Sequence, residues 1–210
     1  MGLKINSLTE IEISERLSKS LAESTKSPAY SPRFPTDLFQ ESPRNAAVLI
    51  PFLKQNNRWH ILFTRRTSSL PEHSGQVAFP GGRADPEDAN PEITALREAQ
   101  EELGLSPNDV NMIGRLQELR TISNYCVLPV VGRIPWPYNF ILAREEVSRV
   151  FTIPLEWLAD PKNHEVQFRE LPSPYSPVPV IYFDRYDGEL LWGVSAEITI
   201  NLLESLQLLG

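Results

Sequence analysis

The chain has 210 residues and a formal net charge of −7, with 41% hydrophobic, 9% aromatic and 22% charged residues. This composition excludes a fibrous, a wholly disordered and a disulfide-stabilised protein, and the length suits one domain with a sizeable core. The single cysteine, Cys126, cannot form an internal bridge, which fits a reducing compartment.

Targeting signals are not evident at the N-terminus. Residues 1–10 lack the apolar run of a signal peptide, and Asn6 stands where a myristoylation signal requires Ser or Thr. No apolar run approaches the roughly 18 residues of a membrane span. We therefore expect a soluble, cytoplasmic protein without a membrane partner.

An amphipathic helix is predicted over residues 7–24. Ser7 and Glu10 have capping-box spacing. Its apolar stripe comprises Ile13, Leu17 and Leu21. Four prolines between Pro28 and Pro43 disfavour regular structure after it. We expect residues 1–44 to be a helix on an extended tether, which wraps the domain or packs on the partner subunit of a homodimer.

The compact domain is predicted to span residues 45–210. Two β-prone runs, Ala46–Phe52 and Trp59–Thr64, flank the polar stretch Lys54–Arg58 and predict a hairpin. The other predicted strands cover residues 75–79, 113–119, 126–131, 147–153, 166–168 and 180–183.

Two helices are predicted within the domain. The first, Ile93–Leu103, ends at Gly104 as its C-cap. The second begins with Ser195 as its N-cap, after a surface loop that four prolines from Pro172 to Pro179 indicate. Its apolar face comprises Ile198, Leu202, Leu206 and Leu209. Strands interleaved with a few helices predict an α/β or α+β sandwich.

Nearly all of the net charge lies in one short segment. Residues 85–104 contain seven acidic residues and one basic residue, Arg97, a balance of −6, whereas the rest of the chain balances to −1. The acidity therefore requires a local explanation. A basic face for binding nucleic acid is not indicated.

Three of these acids share one side of the predicted helix 93–103. Its core face comprises Leu96, Ala99 and Leu103, and the acids Glu98, Glu101 and Glu102 fall opposite. Each like-charged pair costs roughly 0.2–0.5 kcal/mol, and Arg97 can neutralise Glu101 four residues later. A divalent cation would offset the rest, and oxygen-only donors suit Mg²⁺ or Mn²⁺. The alternative is a solvated acidic face.

A glycine turn precedes the acidic helix and makes the pattern more specific. The turn is Phe79-Pro80-Gly81-Gly82, and the helix carries Arg97-Glu98-Ala99-Gln100-Glu101-Glu102-Leu103-Gly104-Leu105. This arrangement resembles the Nudix box, and every required helix position matches. The segment from Gly82 to Arg97 is one residue longer than the general box, so its intermediate acid is either Glu87 or Asp88.

The longer loop is similar to the coenzyme A pyrophosphatase branch of the Nudix family. The upstream signature of that branch resembles Leu62–Arg66 followed by Gly75–Gly82. Thr67 stands where the signature prefers Ser or Ala, and Pro71 stands where it has an arginine, which would weaken recognition of a substrate phosphate. Segments 146–155 and 192–193 also resemble the branch, so the resemblance covers about residues 45–209.

The resemblance implies a Nudix-type α/β/α sandwich with a mixed sheet, and a Mg²⁺- or Mn²⁺-dependent hydrolase. Its substrate would be a nucleoside diphosphate linked to another group. Coenzyme A is implied, with 3′,5′-ADP and 4′-phosphopantetheine as products. The alternatives are another substrate, such as ADP-ribose or NADH, and a non-catalytic Nudix-like domain that senses a nucleotide or binds a protein.

The resemblance also implies roles for individual residues. The metal ligands would be Glu98 and Glu102, with Glu101 as a further ligand or supporting group and Gly82 contributing its carbonyl. Arg97 would orient the carboxylates. Glu146 is the candidate general base, with Glu145 as the alternative. The candidate substrate contacts are Arg65, Arg66, Gly75, Gln76, Phe79 and Gly81. His73 is a weaker candidate for a substrate contact, and Cys126 is expected in the core.

Overall fold

A mixed β-sheet forms the centre of the fold. The structure, a computed structural model, describes residues 5–24, 42–68, 74–171, 173 and 175–209. Strand β1 (Arg44–Gln55) lies between β2 (Arg58–Arg66), which is antiparallel to it, and β7 (Tyr125–Arg133), which is parallel. The other strands of this sheet are β3 (Val77–Ala78), β4 (Gly81–Arg83), β5 (Asn111–Arg115), β6 (Leu119–Arg120) and β8 (Val147–Pro154).

The predicted hairpin is confirmed, with longer strands and a tighter turn. Strand β1 ends at Gln55 and strand β2 begins at Arg58, so only two residues connect them. These residues, Asn56 and Asn57, have φ of 51° and 60°. Asparagine tolerates this left-handed backbone, which a two-residue hairpin of this twist requires.

Helices cover both faces of the sheet. They are α1 (Glu10–Ser24), α2 (Pro91–Leu103), α3 (Leu155–Leu158) and α4 (Gly193–Ser205). Alternate side chains of β1 point to opposite faces. Leu49 and Leu53 belong to the core under α2, whereas Ile50 and Phe52 belong to the larger core shared with α1, α3 and α4. The predicted α/β/α sandwich with a mixed sheet is thus confirmed.

The N-terminal helix belongs to the larger core. Its capping box is formed by Thr9 and Glu12, with Thr9 N–H donating to Glu12 (2.8 Å) and Glu12 N–H donating to the Thr9 hydroxyl (3.2 Å). The predicted box at Ser7 was wrong by two residues. Ile13 and Leu17 are buried, so the apolar stripe packs on its own chain rather than on a partner subunit. Residues 25–41, with most of the predicted proline-rich tether, lie outside the described part.

Helix ends depart modestly from the predictions. Helix α2 starts two residues early, because Asn90 caps it by accepting from Ile93 N–H at 2.9 Å. Gly104 is its C-cap as predicted, with φ of 66°. Ser195 is not the N-cap of α4, since that position is Trp192. The one-turn helix α3 was not predicted.

Two antiparallel strands lie apart from the central sheet. They are β9 (His164–Arg169) and β10 (Val178–Phe183), and β10 packs on α4. Pro179 is part of β10, so the predicted proline loop is too long at this end. Pro172 and Pro174 lie outside the described residues. None of the described helices is both long and apolar enough to span a bilayer.

Candidate active site

Helix α2 directs Glu98 and Glu102 inward, whereas Glu101 points outward. The side chain of Glu102 is 4% exposed and that of Glu98 is 16% exposed, whereas that of Glu101 is 60% exposed. Residues four apart lie on the same side of a helix, one turn apart. The predicted position opposite the core face is therefore wrong for Glu102, and the alternative of a solvated acidic face describes only Glu101.

The true core face of α2 is rotated relative to the prediction. Its buried residues are Thr94, Ala95, Ala99, Glu102 and Leu103, and the predicted core residue Leu96 is only half-buried. The small residues Ala95 and Ala99 let α2 lie close to the sheet. Glu102 is held among apolar neighbours on that face, where an ionised carboxylate is costly unless it is partnered.

Strand β4 brings the main chain against the carboxylates. A Cβ atom on Gly82 would lie 2.5 Å from Cδ of Glu98, so only glycine leaves room for this carboxylate. Gly81 has φ of 152°, and a Cβ there would lie 2.4 Å from the main-chain oxygen of Ala47. The two glycines predicted to form a turn are thus a short strand paired with β1, and both permit close approach.

Arg97 ties the loop before α2 to the helix. Its guanidinium donates to Asp88 (3.0 and 3.2 Å), to Glu98 (3.0 Å) and to Glu101 (3.2 Å). These bonds raise the pKa of Arg97 and, with the main-chain bond between Asp88 and Asp85, lower the pKa of Asp88 to about 2. Of the two acids that the sequence left open, Glu87 and Asp88, it is Asp88 that binds Arg97.

One member of this network was missed in the sequence. The Thr94 hydroxyl, which is buried, donates to Asp88 at 2.9 Å. Its position six residues after Asp88 matches no local hydrogen-bonding pattern, so only the folded loop reveals the contact. Asp88 is consequently fixed from two sides, and it holds Arg97 in place.

Burial raises the pKa of both inward-facing glutamates. For Glu102 the pKa rises to about 8, because desolvation and the charges of Glu98 and Glu146 outweigh the effects of Arg66 and the Gly81 N–H. Desolvation also raises the pKa of Glu98, against the opposing effect of Arg97. The Oε2 atom of Glu102 is buried and has no hydrogen-bond partner among the described residues.

The two arginines at the end of β2 point to opposite faces of the sheet. The Arg66 Nη1 atom lies 4.0 Å from Glu102 Oε1, and the Arg66 Nε atom is buried without a hydrogen-bond partner in the described structure. Arg65 instead pairs with Glu189 at 3.4 Å on the far face, where Arg149 pairs with the same carboxylate at 2.9 Å. The predicted substrate contact at Arg65 is thus away from the carboxylates.

The remaining predicted substrate contacts differ in placement. Gly75 and Gln76 hold the end of β2 through their main chain, with Gly75 N–H donating to Thr67 O and Gln76 O accepting from Arg66 N–H. Phe79 is 3% exposed and packs on Phe63 with ring centroids 4.8 Å apart, so it is a core residue and not a surface for substrate. His73 and Pro71 lie outside the described residues.

Glu146 lies beside the acidic pair. The loop before β8 is joined to α2 by a bond from Ala143 N–H to Glu102 O at 2.9 Å, and Glu146 N–H donates to Ala143 O in turn. Glu146 is exposed, and its charge raises the pKa of Glu98 and Glu102. Cys126 is half-buried rather than a core residue, and desolvation raises its pKa to about 11.

The donor set fits a hard divalent cation. The unpartnered Oε2 of Glu102, the Glu98 carboxylate and the main chain at Gly82 are all oxygen donors of the kind that Mg²⁺ and Mn²⁺ bind. In the described part of the chain, no group of three or more His, Cys, Asp and Glu side chains gathers as metal ligands do. Glu101, the third predicted ligand, points outward to Arg97.

Comparisons with known proteins agree with this geometry. A family model described as NUDIX domain matches residues 43–173. A protein of Yersinia pestis (strain Pestoides F) named "Uncharacterized Nudix hydrolase NudL" is 37% identical over 171 residues, which are 81% of this chain and 83% of that relative. The protein of the same name from Yersinia pseudotuberculosis (serotype O:1b, strain IP 31758) gives the same values.

A solved structure supports the fold alone. The structure of a MutT/nudix family protein from Enterococcus faecalis aligns with a TM-score of 0.51 and 15% identity, over 94% of this chain and 73% of that one. At this identity the likeness concerns the arrangement of helices and strands.

Proposed function

Since the chain belongs to the Nudix family and is a Nudix hydrolase, that is, a pyrophosphohydrolase, we propose that its substrate is coenzyme A or a derivative of coenzyme A. Water would add across the diphosphate: its oxygen bonds to one phosphorus, and the bond from that phosphorus to the bridging oxygen breaks. The products are 3′,5′-ADP and 4′-phosphopantetheine.

The placement of the two signature segments supports the substrate. Segment 62–66 forms the end of β2. Segment 75–82 contains β3, which pairs with β2, and the start of β4, which pairs with β1. Arg66 from the first segment and Gly82 from the second adjoin Glu102 and Glu98, respectively. The residues of the resemblance to the coenzyme A branch therefore border the carboxylates themselves.

Nudix hydrolases generally use a divalent cation, and here Glu98 and Glu102 would hold it, with the Gly82 carbonyl as a third donor. The bound cation would neutralise phosphate charge and lower the pKa of a water molecule. It would also reverse the raised pKa of both glutamates, since a nearby positive charge favours the carboxylate form. The Oε2 atom of buried Glu102, which lacks a hydrogen-bond partner within the described structure, is the single observation that carries this assignment.

The surrounding residues would position these groups. Arg97, fixed by Asp88, keeps the Glu98 carboxylate oriented, and Glu101 holds Arg97 from the solvent side rather than acting as a ligand. Arg66 presents a guanidinium at the same site, and its Nε atom has no hydrogen-bond partner among the described residues, which suits a phosphate oxygen. Glu146, exposed at the rim, is the proposed acceptor for the proton of the attacking water.

Turnover of purified protein with Mg²⁺ tests the metal ligands. Glu98→Gln and Glu102→Gln are expected to remain folded and to lose at least about 10²-fold in kcat. Glu87→Gln is the matched control, because it makes the same change on the same acidic segment at an exposed side chain outside the Arg97 network. Full activity in either ligand variant would remove that residue from the proposed set.

A panel of substrates tests the proposal that coenzyme A is the substrate. Coenzyme A is expected to give a higher kcat/KM than ADP-ribose or NADH, with 3′,5′-ADP as a product. If coenzyme A is turned over no better than ADP-ribose or NADH, coenzyme A is not the substrate. The conclusion that the protein is a Nudix hydrolase would be unaffected. Pro71, in place of the arginine of the signature, is the observation that favours testing ADP-ribose and NADH alongside it.

A further inference from the structure

Strand β9 presents an exposed edge with apolar side chains. Phe168 is 73% exposed and Val166 is 53% exposed. Strand β9 pairs with β10 along one side, and no strand of the described structure pairs with its other side. An exposed strand edge with apolar side chains is a template for pairing with another strand.

The hydrogen-bonding groups of that edge can be assigned from the pairing with β10. Phe183 lies opposite His164, yet Phe183 N–H donates to Leu191 O at 2.9 Å, away from β9. Since pairs with and without mutual hydrogen bonds alternate along an antiparallel ladder, Phe168 also lies in a pair without them. Its opposite residue is Pro179, which has no N–H to donate. The N–H and C=O groups of Val166 and Phe168 therefore point to the free edge.

The sequence of this edge is complementary to itself in one antiparallel register. For two β9 strands to form hydrogen bonds, Val166 and Phe168 of one copy must lie opposite residues of the second copy whose N–H and C=O groups also point to the free edge. If the copies meet at Gln167, Val166 lies opposite Phe168 of the second copy, and Glu165 lies opposite Arg169 of the second copy. Each pair occurs twice by symmetry, and His164 lies opposite Glu170.

Neighbouring registers of the same parity lack this match. Centred on Val166, the strands place Glu165 opposite Gln167 and His164 opposite Phe168. Centred on Phe168, they place Val166 opposite Glu170, which buries an acid beside an apolar side chain. Only the register centred on Gln167 pairs apolar with apolar and acid with base on each face.

We propose that β9 is a homodimer interface, in which the β9 strands of two copies pair antiparallel about Gln167 and join two hairpins into one four-stranded sheet. Val166 and Phe168 share a face with buried Ile181 and Phe183, so pairing extends an existing apolar surface across the two-fold axis. The occupant is a second copy of this chain, because in an antiparallel pair of β9 strands each Glu165 lies opposite an Arg169.

A single cysteine tests the register. In Gln167→Cys the two introduced thiols face each other across the axis, so mild oxidation is expected to give a covalent dimer. In Glu165→Cys the two thiols lie four residues apart along the strands, roughly 13 Å, which exceeds the roughly 7 Å limit between bridged Cα atoms. Wild type controls for Cys126, the only native cysteine. Equal cross-linking of both variants, or none in Gln167→Cys, would overturn the register.

Charge exchange tests the interface in solution by sedimentation. A six-residue edge buries a small area, so we expect a Kd on the order of 10 µM for wild type. Glu165→Arg and Arg169→Glu should each raise Kd at least about 10-fold, and an equimolar mixture of the two should dimerise again. Phe168→Lys should be monomeric, whereas Ile11→Lys, which replaces a side chain of similar exposure (71%) on α1, should dimerise normally.

The outcomes separate the interface from a loss of folding. Each variant is expected to keep the far-ultraviolet circular dichroism of wild type, because the changed side chains are exposed in the monomer. A wild-type protein that stays monomeric throughout the concentration series would overturn the proposal. So would a dimer that survives Phe168→Lys, since the interface would then lie elsewhere.

Discussion

Replacing Glu102 with glutamine should stabilise the metal-free protein at alkaline pH. Burial raises the pKa of Glu102 from 4.5 to about 8, which corresponds to about 5 kcal/mol of preference for the neutral form. Below pH 4.5 the side chain is protonated in both the folded and the unfolded state, so it costs nothing. As the pH rises from 4.5 to about 8, the unfolded state releases its proton first and stability is lost.

The size of the effect follows from the two pKa values. Between about pH 5 and about pH 9, wild type should lose about 4 kcal/mol of unfolding free energy that Glu102→Gln retains. The two proteins should therefore be similar near pH 5 and differ most above pH 8. This is an upper value, because the side chains around Glu102 can rearrange in the folded protein and so lower the cost of its charge.

Urea unfolding in the presence of EDTA, repeated across that pH range, measures the difference. Added Mg²⁺ should then narrow the gap at high pH, because a cation that binds only the folded wild type stabilises it by mass action. Glu87→Gln serves as the control and should follow wild type. A difference between wild type and Glu102→Gln that is constant with pH would refute the reasoning from burial, and an equal response of both to Mg²⁺ would refute the ligand assignment.

Three further predictions follow from the site. Gly82→Ala should fold but lose most of its kcat, because the new Cβ displaces the Glu98 carboxylate, which is the far end of a flexible side chain; unchanged kcat would contradict the close approach. Arg66→Gln should raise KM about 10-fold or more for a diphosphate substrate, whereas Arg65→Gln should leave KM near wild type; equal effects would argue against the two-face assignment. Asp88→Asn should lower thermal stability at neutral pH. The difference from wild type should vanish as the pH falls towards about 2, where Asp88 of wild type takes up its proton. A difference that persists at low pH would exclude the charge of Asp88 as the cause.

Local patterns predicted the order of elements around the site well. The hairpin, the helix that bears the glutamates and its glycine cap each depend on residues close together in the chain, and each was confirmed. Errors arose where two local signals compete. Ser7 and Thr9 are both followed three residues later by glutamate, and the structure selects Thr9 because Leu8 and Ile13 are then both buried.

The spacing of residues in the sequence could not predict in which direction the side chains of the site point. The spacing of Glu98, Glu101 and Glu102 places them on one side of α2, but whether that side faces water or the sheet depends on how the helix is rotated. Ala95 and Ala99 let the helix approach β1 and β4, and this rotation buries Glu102. Arg65 and Arg66 are adjacent in the sequence, and only the pleat of β2 sends them to opposite faces.

The acidic helix, the resemblance to the Nudix box and the oxygen-only donor set can all be identified in the sequence, because they depend on residue types at short, fixed spacings. The tertiary structure alone decided which glutamates face inward, that Asp88 anchors Arg97, and that Arg66 rather than Arg65 adjoins them. It also decided that no described strand pairs with the outer edge of β9, since pairing depends on contacts between distant parts of the chain. The acidity of residues 85–104 is thus a local property of the sequence, whereas the burial that raises the pKa of Glu102 arises only when helix and sheet pack together.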